Sequence, residues 1–303
     1  MPQQPRLFFA GSANVDLTFR VPSMPRPGVT EVCPYALGFG GKGANQAVQA
    51  RRLGAAVSFL GKVGDDPFGP AIFEALRKEG IGIEYITTAN GCLTGTAVIL
   101  VDPSGQNSIV THGGPNVKLT RADARRAECE IATADAVMVT LEVPEKPLAE
   151  ILRIARRQRI RTILNPAPPV DFPHVLLKQV DLCLPNESEL AAITGLRVRT
   201  FAEVELAAAA LRAMGPREII VTRGKQGALV LDDAGAEAIP GILVKAIDTS
   251  GAGDSVSAAV AVALAEGKSL RDAAHWANRV AAISVTRAGT QSSFPSRGEL
   301  PAE

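Results

Sequence analysis

Asp248-Thr249-Ser250-Gly251-Ala252-Gly253-Asp254 stands just ahead of an apolar segment, Val256 to Ala265. Glycines directly before a helix leave consecutive backbone N–H groups free, and the helix dipole adds positive potential there. The result is an anion hole suited to phosphate or to charge developing on a transferring phosphoryl group. Asp254 lies at its edge. An acid in a first helical turn often serves only as a partner for the dipole. Inside a glycine-rich hole it can also accept the proton of a hydroxyl that attacks phosphorus.

A second stretch, Gly38-Phe39-Gly40-Gly41-Lys42-Gly43 with Asp65 downstream, satisfies the dinucleotide pattern G-x-G-x-x-G. Its context argues against a nicotinamide oxidoreductase. That fingerprint follows the first buried strand, whereas here Leu7 to Ala10 leads into Gly11-Ser12-Ala13-Asn14 and a proline-rich stretch precedes Gly38. A Walker A loop is absent, because Gly267-Lys268-Ser269 has Val262 where the leading glycine belongs. Three histidines, His112, His174 and His275, with no H-E-x-x-H or G-x-S-x-G, offer little for zinc or a triad.

The elements that must position these groups alternate. Leu7 to Ala10, Val57 to Leu60, Ala136 to Thr140, Thr162 to Leu164, Leu182 to Leu184 and Ile219 to Thr222 read as buried strands. Ala44 to Leu53, Pro70 to Glu79, Leu148 to Gln158 and Phe201 to Met214 carry helical spacing, and Gly54, Gly80 and Gly215 stand where helix-ending glycines belong. Such alternation implies an α/β sandwich: a mainly parallel sheet with helices on both faces. Leu17 to Leu37 and Thr94 to Thr111 break the pattern. The second predicts strands Thr96 to Val101 and Ser108 to Thr111 around a turn at Asp102-Pro103-Ser104-Gly105. Together the two excursions predict a small β lid, about 12–39 and 94–112, on a single domain spanning 1–303.

At 303 residues, 46% hydrophobic and 21% charged, the chain has the composition of a globular protein with a large core. A net charge of +1 supplies no electrostatic footprint for nucleic acid or an anionic membrane. Cys33, Cys92, Cys129 and Cys183 are far apart, which favours reduced thiols in a cytoplasm over a zinc site or disulfides. No signal peptide or membrane-length apolar run is present. The arginines at 153, 156, 157, 159 and 161 read as a solvated helix face.

Seven segments occur in an order that resembles the ribokinase-like (PfkB) carbohydrate kinases, from Leu7 to about Pro295. They are Gly11-Ser12-Ala13-Asn14-Val15-Asp16, Phe39 to Ala47, Gly61 to Gly69, Asn165-Pro166-Ala167-Pro168, Pro185-Asn186-Glu187-Ser188-Glu189, Thr222 to Gly227, and Asp248 to Asp254. The resemblance implies a three-layer fold with a β lid, and transfer of the ATP γ-phosphoryl group to the primary hydroxyl of a pentose, D-ribose foremost. Deoxyribose, fructose, a 2-keto-3-deoxy sugar acid and a nucleoside are the alternative substrates. A sugar-binding regulatory protein is the alternative outside catalysis, and an intact Asp254 with its glycines weighs against it.

By the same resemblance, Asn14, Asp16, Gly41, Lys42, Gly43, Ala44, Asn45 and Glu142 face the sugar, and Asp254 is the base. Gly251, Ala252 and Gly253 offer N–H groups to the phosphoryl. ATP contacts are implied at Asn186, Thr222, Arg223, Gly224, Lys225, Gln226, Gly227, Gly253 and Asn278. Glu189 helps place Mg²⁺ through water. A K⁺ site is implied at Asp248, Ser250, Ser284, Arg287, Gly289 and Ser293, and a homodimer through the lids. Two departures stand out. Ser255-Val256-Ser257-Ala258 lacks the aromatic and glycine usual after the base, and Asn278 replaces a frequent histidine near adenine.

Overall fold

The structure, a computed structural model, describes residues 4–103, 106–169 and 172–301. Leu7 to Ala10 has no polar side chain and becomes β1 (Arg6–Ala10), where Leu7 and Phe9 enter the core on one face of a sheet and Phe8 and Ala10 the core on the other. A strand buried on both faces reads as a continuous apolar run, which is why these strands are legible without alternation.

The chain then leaves the sheet as β2 (Asn14–Arg20) and β3 (Tyr35–Gly40), and returns through α1 (Lys42–Arg52), β4 (Ala56–Gly64), α2 (Phe68–Lys78) and β5 (Gly82–Ala89). A second excursion forms β6 (Thr96–Val101) and β7 (Asn107–His112). Two short helices follow, α3 (Arg121–Arg126) and α4 (Glu128–Ile131), then β8 (Ala136–Thr140), α5 (Glu145–Arg157), β9 (Arg161–Asn165) and β10 (Leu182–Cys183). The last third holds α6 (Glu187–Thr194), α7 (Phe201–Ala213), β11 (Glu218–Thr222), β12 (Gly227–Asp232), β13 (Gly235–Pro240), α8 (Ala252–Ala265) and α9 (Leu270–Ser284).

Among the described residues the main sheet has nine strands in the order β13-β12-β11-β10-β9-β8-β1-β4-β5. It is parallel from β11 through β5 and antiparallel at the β12 and β13 edge. Helices α1, α2, α8 and α9 cover one face, and α3 to α7 the other. Gly54, Gly80 and Gly215 all take positive φ, as helix-ending glycines do. The sandwich expected from the alternation is the one observed.

The excursions form a separate sheet, β3-β2-β6-β7. A strand precedes Gly41, since Tyr35 to Gly40 is β3, within the stretch expected to form the lid. It belongs to the lid and not to the parallel sheet, so the glycines after it do not sit at a Rossmann crossover. The turn predicted at 102–105 includes Ser104 and Gly105, which lie outside the described residues. Its flanks are closed by Gln106 N–H on Asp102 Oδ1 and by Asp102 N–H on the Gln106 carbonyl.

Most of the arginine cluster is paired. Arg153 shares Glu150 with Arg125, Arg157 meets Glu128, and Arg161 meets Glu218. Among the described residues no helix is long and apolar enough to cross a membrane.

Candidate active site

Parallel sheets gather chemistry at the carboxyl ends of their strands, where successive loops converge. Gly11 to Asn14 follows β1, Glu142 follows β8, Asn165 ends β9, Asn186 follows β10 and Thr222 ends β11. A cleft of about 190 Å³ opens there, lined by Lys42, Asn165, Asn186, Glu189, Thr222 and the Thr249–Asp254 loop among others. A larger hollow, about 430 Å³, lies at the opposite end of β1 and β4. Its polar groups bind its own walls, Ser58 on Glu130 and Arg51 on the Gly80 carbonyl, so volume does not mark the site.

The residues that the resemblance implies for the sugar converge through glycine. Gly43 lies on Gly11: a Cβ at Gly43 would stand 2.7 Å from the Gly11 Cα. Gly41 opens α1 at φ 86, with the Ser12 carbonyl 2.7 Å from any added Cβ. Both facts seat the start of α1 against the end of β1. Glu142 reaches this helix start from the next strand, where its Oε2 accepts the Lys42 N–H at 2.9 Å and the Ser12 hydroxyl. An external carboxylate thereby supplies the cap that Gly41 has no side chain to make. Asn14 is oriented by Asn116, whose Nδ2 donates to Asn14 Oδ1 at 2.7 Å while its Oδ1 accepts the Ala13 N–H.

Charge is crowded here. Burial raises the Asp16 carboxyl to about 6, and the nearby charges of Glu142 and Asp254 push the same way. The same acids act oppositely on Lys42: Asp254 foremost, then Glu142 and Glu189, hold its ammonium more firmly protonated against the effect of burial. Glu189 is raised by burial.

Asp254 stands in the first turn of α8, only 6% exposed. Its Oδ2 accepts Asn45 Nδ2 at 2.9 Å and its Oδ1 accepts Gln46 Nε2 at 3.0 Å. The glycine loop stands where the hole is expected, with one of the three expected donors engaged. Gly251 turns the chain at φ 72, where an added Cβ would meet Thr290 at 2.6 Å. The Ala252 N–H points back to the Thr249 carbonyl at 3.2 Å, so it is partly satisfied within the loop. Among the described residues the N–H groups of Gly251 and Gly253 have no such partner, and they carry the hole. The departure after Asp254 is absorbed by packing: Val256 and Ala258 join the core, and Ser257 lines the cleft.

At the positions expected to meet ATP and Mg²⁺, Asn186 and Glu189 cap α6 reciprocally, Asn186 N and Nδ2 donating to the two Glu189 oxygens at 2.9 Å. Asn186 also bridges to Thr222. Gly224 to Gln226 form a single tight turn before Gly227, whose φ is 92. The Arg223 guanidinium is engaged by Glu187 at 2.9 Å and by the Phe201 ring. Asn278 donates to the Pro240 carbonyl at 3.1 Å, which ties α9 to the end of β13.

The six positions of the implied cation site surround one loop. Asp248 accepts the N–H groups of Ser250 and Gly289, both at 2.9 Å. Burial would raise its carboxyl, but these bonds more than offset that and hold it below the usual range. Ser284 and Ser293 are buried, their hydroxyls on the Ala281 and Thr290 carbonyls. The Arg287 guanidinium pairs with Glu299, so its charge is engaged there.

Sequence reasoning selected Asp254 and the residues expected to face the sugar. It missed the groups that hold them: Gln46, Asn116, Asn165, Gln291 and the space left by Gly40. A buried amide has no local signature, because its partners lie far along the chain.

The family model of pfkB family carbohydrate kinases matches residues 4–297. The chain is 38% identical over 290 residues to a ribokinase of Haemophilus influenzae, covering 95% of each. It is 36% identical over 288 residues to a deoxyribokinase of Salmonella typhi, covering 94% of each. A solved structure of Arabidopsis thaliana ribokinase complexed with ribose and ATP matches with a TM-score of 0.90 at 30% identity, over 98% of this chain and 97% of that one.

Proposed function

Because the chain belongs to the pfkB family of carbohydrate kinases, we propose that it transfers the γ-phosphoryl group of ATP to the primary hydroxyl of D-ribose, giving D-ribose 5-phosphate. It is an ATP-dependent sugar kinase. The observation that carries the reading is Asp254, a buried carboxylate held on both oxygens between the sugar-facing start of α1 and the Gly251–Gly253 hole. As the sugar oxygen bonds to phosphorus and the bond to the ADP oxygen breaks, the hydroxyl proton passes to Asp254. The Gly251 and Gly253 N–H groups meet the charge on the phosphoryl oxygens.

Asp16 and Glu142, both acceptors, suit sugar hydroxyls, and a polar site of this kind rejects analogues that lack one. Mg²⁺ would travel with the nucleotide. Glu189 has both oxygens on Asn186, which suits a water-mediated contact better than direct ligation. K⁺ fits the Asp248 loop through carbonyls and one carboxylate. Bound there, it would stiffen the hinge of the anion hole.

A coupled ADP-release assay over ribose, deoxyribose, fructose, a 2-keto-3-deoxy sugar acid and a nucleoside tests the substrate, run with K⁺ and with tetramethylammonium at matched ionic strength. Ribose gives the highest kcat/KM, and K⁺ raises the rate. A higher kcat/KM for deoxyribose would move the assignment to the function named for the Salmonella typhi relative, and equal rates in the two salts would remove the K⁺ site.

The raised Asp16 carboxyl sets a pH dependence. Above about 6 the carboxylate form dominates and accepts from sugar hydroxyls, whereas below it the acid form loses an acceptor. Ribose KM at saturating ATP therefore climbs as pH falls, by about tenfold per unit once well below that value. A flat ribose KM between pH 5 and 7 contradicts this.

Two lids of this kind also support a homodimer. The register puts Leu17, Phe19, Val98 and Leu100 on one face with Tyr35, Leu37 and Val110, and the last three are 62%, 47% and 72% exposed. A partner lid would cover that face. Light scattering gives twice 31.7 kDa if so, and a monomer mass unchanged by ribose and ATP rules it out. The unpaired cysteines support a reducing compartment, the cytoplasm.

A further inference from the structure

Helices α1 and α8 pack along each other through a seam that is polar at its centre. Lys42, Asn45, Gln46 and Gln49 share one face of α1 by their spacing. Gln46 and Gln49 are fully buried and Asn45 is 6% exposed. Gln49 closes structure: it donates to the Pro295 carbonyl at 3.0 Å and accepts from Ser255. Gln46 does something else. Its Nε2 donates to Asp254 Oδ1 and to Asn165 Oδ1, both at 3.0 Å.

The orientation of this chain of amides follows from its far end. The Leu184 carbonyl can only accept, so Asn165 presents Nδ2 to it at 2.9 Å and turns Oδ1 toward Gln46. Gln46 must then present its NH₂, because an oxygen there would face two acceptors. The consequence is a Gln46 Oε1 that is buried with no hydrogen-bond partner. A buried carbonyl left alone is a cost, and an apolar side chain of the same length would remove it only by stranding two buried acceptors, Asp254 Oδ1 and Asn165 Oδ1. Packing alone therefore does not account for Gln46, whereas its donation to Asp254 and Asn165 does.

We propose that Gln46, held by Asn165, is a positioning residue for phosphoryl transfer: it fixes the plane of the Asp254 carboxylate toward the attacking hydroxyl. Asn45 holds the other oxygen and is itself oriented by Gln291 Nε2 on its Oδ1 at 3.0 Å. Two amide lines thus stop rotation of the carboxylate, one from the ends of β9 and β10 and one from the C-terminal segment. Neither line brings a cation to neutralise it. The inference rests on Asp254 being the base.

The test compares Gln46→Met, Asp254→Asn and the double variant in the coupled assay with ribose. Gln46→Met keeps the side-chain length and removes the donor. It lowers kcat by about 10- to 100-fold, as a small misplacement of a reacting group does, and leaves the ribose and ATP KM values within about threefold. In the Asp254→Asn background the same change costs less than about twofold, because Gln46 has no base left to position. A wild-type kcat in Gln46→Met overturns the proposal, as do losses that multiply in the double variant. If Gln46→Met does not fold, Gln46→Asn carries the same comparison, its amide being one carbon too short to reach Asp254. An active Asp254→Asn enzyme would instead overturn the assignment of the base, a result visible in that single variant alone.

Discussion

Asp254→Asn lowers kcat by about 10²- to 10⁴-fold, the range for loss of a general base, and leaves ribose binding within a small factor. The site explains the separation. In the proposed reading Asn14, Asp16, Glu142 and the start of α1 match the sugar hydroxyls, while Asp254 meets only the hydroxyl that reacts. The new amide has the shape of the carboxylate but no basic oxygen pair, and it sets a donor against either Asn45 or Gln46, which both donate to Asp254 now. Asp254→Ala avoids that donor clash and loses the base equally, so the two variants falling together assign the loss to proton acceptance. Turnover comes from the coupled assay and ribose affinity from calorimetry. Near-wild-type turnover in either variant removes Asp254 from the mechanism.

How much of this was legible in the sequence depends on how far apart the interacting residues stand. The Asp248–Asp254 loop declares itself because glycine, acid and helix are contiguous, so the anion hole is written in seven neighbouring residues. The parallel strands declare themselves by unbroken apolar runs. Helix ends were less sharp. The α1 pattern suggests a start at Ala44, yet the helix begins at Lys42, because its cap is the Glu142 carboxylate, 100 residues away.

The lid strands β2 and β3 were hidden for another reason. They flank a proline-rich stretch and are partly exposed: β3 (Tyr35–Gly40) has two glycines and no alternation, and the alternation of β2, with Val15, Leu17 and Phe19 apolar, runs straight into that stretch. Gln46 is the extreme case. It lies inside a quoted segment, but its partners Asn165 and Asp254 are 119 and 208 residues off, and only the fold joins them.

Gly40→Ala raises the ribose KM by about 10- to 100-fold, the cost of moving a contact group by an ångström or so, and leaves the ATP KM unchanged. Gly40 faces Asn14 across the β2–β3 pair, two residues from the partner of Asp16. Its missing side chain is where the Asp16 carboxylate lies: a Cβ there would stand 2.5 Å from the carboxyl carbon. The backbone has little room to yield, since Gly41 follows at φ 86 against the Ser12 carbonyl. The carboxylate therefore has to move. Gly40 is not among the residues of positive φ, so alanine introduces no left-handed strain and the protein folds. Gly38→Ala is the matched control on the same strand, because a Cβ there comes no nearer than 4.0 Å, to the Asp16 carbonyl oxygen. It should change neither KM. If Gly40→Ala binds ribose as the parent does, Asp16 does not hold the sugar. If Gly38→Ala fails equally, the loss belongs to the lid strand as a whole and not to the carboxylate that Gly40 makes room for.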